Sequence, residues 1–591
     1  MSLYWSADDS VKVGETKISI PSENGLNYSP GQKVQIYVDP STKFMDGRES
    51  YLEFNVKLSL PAGKNPTRLQ LDKCTSTIIK NIRIFDGTRG NLLEEVSSYD
   101  AYVAVKYDYD KDKNSENLRA LEEGCSVFTP DNRGTQGSTQ TAMANTITNP
   151  FFKKTTGNQS TTFSDDDFLT AKITLPLHTG IFANSETIFP LMMTQGLYIE
   201  IDLNSADAII KQLDSVLQDR RTTLNPVFHS LNGRESPNEN TWTTAAGAQT
   251  KFYVAYDNNL DGSDAVDRFP FVCGESFAFC QTTNNGAISK NFSVPLVISE
   301  INMSAAANDG NGLIEITVAS ATNNGDTITG DYSMYSTAVS DESSYDASYV
   351  VSDVNLIVSQ VHLDPAYERG MIQKVKEGKA IEFDIMSLTN YKHSIQASDR
   401  QTTFQIFAQN SRAKSLLVVP TDSTVYTSAQ MISGSGTYMI KGTNYTDSVS
   451  AKDVDDVALS NNRTAYTGVV DELSSIQYTI NGKRVPSREI STKKIATKNS
   501  IDAFHLFELE KTLDNAGIPP KSFSNFLENF CFGRGFSAGG QGGVMDLRSA
   551  DLAVVLKYLT ATPPAVGKLF NSYVFHLKRL IVRDGGVEVV N

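Results

Sequence analysis

The chain has 591 residues, 40% of them hydrophobic and 20% charged, a balance that excludes an intrinsically disordered protein. Its formal net charge of −15 argues against a protein that coats nucleic acid, because phosphate binding depends on clustered Lys and Arg. The five cysteines, Cys74, Cys125, Cys273, Cys280 and Cys531, form no CxxC pair, which excludes a zinc ribbon or a dithiol redox motif and predicts reduced, buried thiols without a disulfide.

In chain order, the N-terminal stretch MSLYWSADDSVKVGE has no apolar core like that of a signal peptide, and no run of about 18 apolar residues follows, so neither a secretion signal nor a transmembrane helix is expected. KVQIYVD then places Val34, Ile36 and Val38 on one face of a strand. In DGRESYLEFNVKLSL the apolar set is Leu52, Phe54, Val56, Leu58 and Leu60, with Glu53, Asn55, Lys57 and Ser59 between them. TAKITLPL aligns Ala171, Ile173, Leu175 and Leu177, and LYIEIDL aligns Leu197, Ile199, Ile201 and Leu203. Later strand signals are VSDVNLIVSQV, TFQIFA, SIQYTI, DLAVVLKY and YVFHLKRLIV. Alternation of this kind belongs to antiparallel sheets with one packed face, not to a parallel α/β sheet.

Helical spacing predicts four helices: Asn114–Glu123, ending at Gly124; Ser205–Asp219, with Asn204 or Ser205 as N-cap; Asp364–Glu377, with Pro365 in its first turn and Gly378 as its stop; and a helix from Ser500 to Gly517. Long stretches of low hydrophobicity, 129–167, 304–344 and 433–468, read as large loops mounted on sandwiches.

Searches for chemistry return little. None of the six histidines sits in HxH or HExxH, and no GxSxG elbow is present. His505 and Glu508 share one face of a helix, a spacing that reads as structural. FGRGFSAGGQGG has the glycines of a phosphate loop but no lysine to go with them, and reads as a loop between strands. DNNLDGSDAVDR offers a candidate cation loop through Asp257, Asn259, Asp261 and Asp264, near EF-hand spacing. Its twelfth position is Arg268 instead of Glu, and a strand-like KFYVAY precedes it, so the segment reads first as an Asx-rich turn.

One family does match in the order of its motifs. LNYSPGQKVQIYVDPSTKFMDGRESYLEFNVKL resembles the opening strands of double jelly-roll major capsid proteins, most closely those of virophages and polinton-like viruses within the wider group of eukaryotic double-stranded DNA viruses. IIKNIRIFDGTRGNLLEEVSSYDAY resembles the next strands of the first roll, and SIQYTINGKRVPSREI resembles a segment of the second. SADLAVVLKY and YVFHLKRLIVRDGGVEVV are similar to the closing strands.

The resemblance implies a mainly β fold of two consecutive eight-stranded antiparallel jelly-roll sandwiches, with a few short helices and long inserted loops. The expected division is a first jelly roll with an N-terminal arm at 1–215, a connecting segment at 216–250 and a second jelly roll at 251–591, with no further C-terminal domain. It implies a non-enzymatic structural subunit of the virion, made in the host cytoplasm, that trimerises into pseudo-hexameric capsomers of an icosahedral shell. Partners would be other copies, penton and minor capsid proteins, with no cofactor, no sequence-specific nucleic-acid binding and no membrane span. A jelly-roll adhesin that binds glycans or a receptor is the alternative, and a carbohydrate-active enzyme, which needs a carboxylate pair in a cleft, is a third reading.

Overall fold

The computed structural model describes, in its continuous parts, residues 12–59, 74–110, 170–183, 188–213, 348–422, 473–492, 503–521, 530–536, 544–559, 567–583 and 585–590, together with short strands elsewhere. Its first eight long strands are β1 (Lys12–Pro21), β2 (Lys33–Val38), β3 (Phe44–Ser59), β4 (Ile79–Asp86), β5 (Leu92–Ser97), β6 (Thr170–Pro176), β7 (Leu197–Leu203) and β8 (Ser348–Leu363). Helix α1 (Tyr99–Asp110) follows β5, and α2 (Pro365–Lys376) follows β8. One sheet runs β1-β8-β3-β6 and the other β2-β7-β4-β5, all antiparallel. Strand order 1-8-3-6 facing 2-7-4-5 is that of a jelly roll.

The second half repeats it. Its strands are β9 (Ile381–Ile395), β10 (Gln401–Ile406), β11 (Ala413–Asp422), β12 (Leu473–Ile480), a broken edge strand made of β13 (Lys483–Arg484) and β14 (Ile490–Ser491), then β15 (Phe532–Gly535), β16 (Leu552–Tyr558) and β17 (Lys568–Arg583). Helix α3 (Ala503–Asn515) again follows the sixth strand, and β18 (Gly586–Val590) folds back on β17. The sheets run β9-β17-β11-β15 and β10-β16-β12 with β13 and β14 at the edge. Counting the broken edge as one strand, this is the same jelly-roll order.

Binary patterning explains the cores. Val34, Ile36 and Val38 on β2 are buried, as are Leu52, Phe54, Val56 and Leu58 on β3, while Glu53, Asn55 and Lys57 between them are only partly covered. Between the rolls, Asp364 caps α2 by accepting from the backbone N–H groups of Ala366 (2.8 Å) and Tyr367 (3.3 Å). Gly378 ends it at φ +76, a conformation that costs glycine nothing.

Three expectations change. Residues 251–363 were assigned to the second roll, yet β8 lies between β1 and β3, hydrogen-bonded to both. The polar run near 216–250 therefore falls inside a connection of the first roll, between β7 and β8, and α2 joins the two rolls. The helix expected at Ser205–Asp219 lasts one turn, Ala206–Ile209; Ile210–Leu213 then pairs as a strand with Arg68–Leu71. Burial of Ile209 and Ile210 overrides their helical spacing. The Asn114–Glu123 helix lies outside the described residues, and α1 stands where none was expected.

Strand polarity fixes where the loops leave. In both rolls the connections 39–43, 87–91 and 177–196, and 407–412, 481–482 and 536–551, leave one end. The connections 60–78, 98–169 and 204–347, and 423–472 and 492–531, leave the other. All three long polar stretches, 129–167, 304–344 and 433–468, fall in sequence within connections that leave that second end.

Candidate functional site: the seam between the two jelly rolls

The feature that turns two sandwiches into one object is the contact of β5, α1 and the 177–196 connection of the first roll with β9 and β17 of the second. It aligns them with the same polarity. At the short-loop end Phe189 meets Phe383 edge-to-face at 5.6 Å, and Asn91 Nδ2 donates to the Val587 carbonyl at 3.3 Å. Toward the other end the Lys521 N–H donates to the Tyr109 carbonyl at 2.7 Å.

Glu94 sits at the centre of the seam, 1% exposed. Its Oε1 accepts from Gly180 N–H (2.7 Å) and from the Ser387 hydroxyl (2.7 Å), and its Oε2 accepts from Ile181 N–H (3.2 Å). Such a carboxylate is tolerable only because its lone pairs are occupied. Gly180 is required sterically: a Cβ there would lie 2.6 Å from the Met386 carbonyl oxygen of the other roll. Beside it, Lys578 donates to the Leu93 carbonyl (3.3 Å); burial lowers its pKa, and the negative charges of Glu94 and Glu95 oppose that shift.

Rings fill the remainder. Tyr102 of α1 packs against Tyr573 (5.8 Å) and Phe575 (5.9 Å) of β17. The Tyr573 hydroxyl donates to the Ser98 carbonyl (2.8 Å), and burial raises its pKa well above the ordinary phenol value. Asn390 Nδ2 bridges Ser97 (3.3 Å) and Asn571 (3.1 Å). His576 is fully buried on β17, and burial lowers its pKa to about 4. Its Nδ1 lies 3.1 Å from the Val574 carbonyl oxygen, and its Nε2 has no hydrogen-bond partner among the described residues. Outside the seam, Asp384 is clamped by Arg412 (2.8 and 2.6 Å) and Arg579 (3.0 and 3.3 Å). Burial favours its neutral form, but the two guanidinium groups prevail and hold its pKa at about 2.

Among the described residues, those singled out in the sequence do not gather into a site. Asp257, Asn259, Asp261 and Asp264 lie outside the described residues, as do Cys125 and Cys273. His505 and Glu508 share the buried face of α3, where His505 stacks on Phe530 at 5.4 Å and Glu508 is paired with Arg534. In the glycine-rich segment, Phe532–Gly535 is β15 itself, and 537–543 lie outside the described residues. Cys74 and Cys531 are buried. Among the described residues no three His, Cys, Asp or Glu side chains are placed to hold a metal ion, and no helix is long and apolar enough to cross a membrane. The seam itself had no sequence signal, since Glu94 and Ser387 are 293 residues apart.

No family model and no curated protein matches the sequence. Among solved structures the chain is similar to VP54 of PBCV-1 as fitted into a cryo-EM reconstruction of the virophage Sputnik, with 12% identity over 98% of this chain and 97% of that one, at a TM-score of 0.44. It is similar to the Faustovirus major capsid protein at 8% identity over 96% of this chain and 90% of that one (TM-score 0.43), and to the mavirus major capsid protein at 9% over 99% and 93% (TM-score 0.34). At such identities and TM-scores the assignment of the fold rests on the strand order, which is that of two jelly rolls in succession.

Proposed function

We propose that the chain is a major capsid protein: a non-enzymatic subunit that trimerises into pseudo-hexameric capsomers and builds an icosahedral viral shell. The observation that carries this reading is the parallel alignment of two rolls of one topology, with the four longest connections, 98–169, 204–347, 423–472 and 492–531, leaving the same end. A subunit of that kind stands upright in a layer, its elaborated end on one side and its short-looped end on the other. The motif order in the sequence supports the reading independently. A seam closed by a buried carboxylate and stacked tyrosines keeps the two rolls in fixed relation, which a lattice needs. Weak contacts between such rigid units add up through multivalency. The same reading makes penton and minor capsid proteins its partners, the host cytoplasm its place of synthesis and the virion its destination, without sequence-specific binding of nucleic acid.

Light scattering of the purified full-length protein, followed by negative-stain microscopy, tests it. The expected result is a mass of three chains and particles of pseudo-hexagonal outline. A stable monomer at micromolar concentration that binds glycans tightly would replace this reading with the adhesin.

A further inference from the structure

The seam is a heterologous contact: the surface formed by β5 and α1 on one roll meets a different surface, formed by β9 and β17, on the other. Because the rolls share one topology, each surface has a counterpart that the described residues leave uncovered. On the second roll the counterpart of α1 is α3. Residues Tyr99–Val105 of α1 are all buried, since one side of that helix meets its own roll and the other meets β17. On α3, His505, Glu508, Leu509, Thr512 and Leu513 are buried against its own roll. The opposite side carries Phe507, 52% exposed, with Lys511 Nζ held 4.1 Å above its ring.

On the first roll the counterpart of β9 and β17 is the outer face of β1 and β8. Ile357 of β8 pairs in register with Ser19 of β1 and Tyr51 of β3, which brings the three to one face. Ile357 and Tyr51 are half-buried there, and Lys17 Nζ lies 4.8 Å from the Tyr51 ring. Two more exposed apolar residues belong to the same strands, Val13 on β1 (65%) and Val350 on β8 (38%).

We propose that the exposed side of α3, centred on Phe507, docks on the outer face of β1, β8 and β3 around Ile357 and Tyr51 of a second copy, repeating between chains the contact that α1 makes with β17 within one. The occupant is a second copy because the chain already contains both halves of this contact and uses one pair of them internally. A heterologous contact repeated between copies gives a ring when its rotation closes. In a ring of three chains, six rolls alternate internal and external seams. The inference rests on the trimeric reading above and names the surface that makes the trimer.

Two measurements on the full-length protein test it. Light scattering compares the wild type with Phe507→Asp and with Phe407→Asp, the latter changing an equally solvent-facing phenylalanine (71% exposed) in the turn between β10 and β11. Phe507→Asp is expected to run at the single-chain mass of 64.7 kDa with an unchanged melting curve, and Phe407→Asp to keep the mass of three chains. A short amine-reactive crosslinker applied to the wild type is expected to join Lys511 to Lys17 in a band of twice the chain mass on a denaturing gel. A three-chain mass for Phe507→Asp, or a crosslinked band without the Lys511–Lys17 peptide, overturns the proposed surface while leaving the trimer standing. A monomeric wild type overturns the trimer itself.

Discussion

β8 and β17 hold the same position in their two rolls, and each is a 16-residue strand between two partners, yet their surroundings differ. From Tyr349 to Val358, β8 alternates between buried and more exposed residues. From Phe570 to His576, every residue of β17 is buried. Phe570 faces its own core, stacking on Phe404 at 5.3 Å, while Tyr573 and Phe575 meet Tyr102 of the other roll. One topology thus gives a strand with one dry face or with two, depending on whether a second roll lies against it. Alternation in the sequence reports the roll; loss of alternation reports the seam.

The sharpest way to break this comparison is by parity. On β17, Val574→Asp and Tyr573→Asp should both prevent folding, because neighbouring positions point into two different dry regions; an unpaired charge in either costs several kcal/mol. On β3, Phe54→Asp should be equally severe, but Glu53→Ala should cost no more than about 1 kcal/mol. Glu53 lies on the wetter face, paired at 2.9 Å with a well-exposed Lys172. Soluble yield and urea midpoints of the four variants decide it. Tolerance of Tyr573→Asp would mean that the second face of β17 is not sealed.

Next in size is the seam carboxylate. Glu94→Ala leaves the Gly180 and Ile181 N–H groups and the Ser387 hydroxyl buried without their acceptor, a loss of about 3 kcal/mol. Because these groups join the rolls, the variant should also split a single unfolding transition into two. Ser387→Ala removes one donor and should cost about 1 kcal/mol. A Glu94→Ala protein that still melts in one step at the wild-type temperature would assign the coupling to the tyrosine cluster alone.

Acid should weaken the second roll in a defined window. His576 has its folded pKa lowered from 6.5 to about 4, so the unfolded chain binds the proton first as pH falls. Its contribution is therefore present above pH 6.5 and is lost progressively down to about pH 4, amounting to at most about 3 kcal/mol. Asp384, lowered from 3.8 to about 2, adds a second loss that begins only near pH 4 and continues toward pH 2. Urea midpoints measured from pH 7.5 to 4.5 should fall for the wild type and flatten for His576→Leu. An unchanged slope in that variant would exclude His576 as the source.

What the sequence disclosed follows the same division. The strands with one dry face, β2, β3, β6 and β7, were legible from alternation alone, with the correct residues inward. α1 was not, because a helix covered on both sides has no polar stripe; its run AYVAVKY is apolar or aromatic nearly all round. The domain boundary was misplaced for a related reason. The polar run at 216–250 looks like a linker, but a long insertion between the seventh and eighth strands has the same composition. Only the pairing of β8 with β1 and β3 tells them apart. Glu94 and Glu95 are adjacent on β5, and nothing local marks one of them as the residue that meets Ser387.

The smallest expected effect concerns the covalent link. α2 connects β8 to β9, and its cap, Asp364, satisfies two of the orphan N–H groups at its start. Asp364→Ala should cost about 1 kcal/mol, the usual value of an N-cap, and that loss should stay local to the helix. The reason is that the rolls are held together by side chains from β5, α1, β9 and β17, none of which touches this cap. Hydrogen exchange should therefore rise in Pro365–Lys376 while the amides of β17 stay protected, and unfolding should remain a single transition. If Asp364→Ala instead separates the two rolls as Glu94→Ala is expected to, the link and not the seam sets their relative position, and β17 would owe its second dry face to the helix that precedes β9.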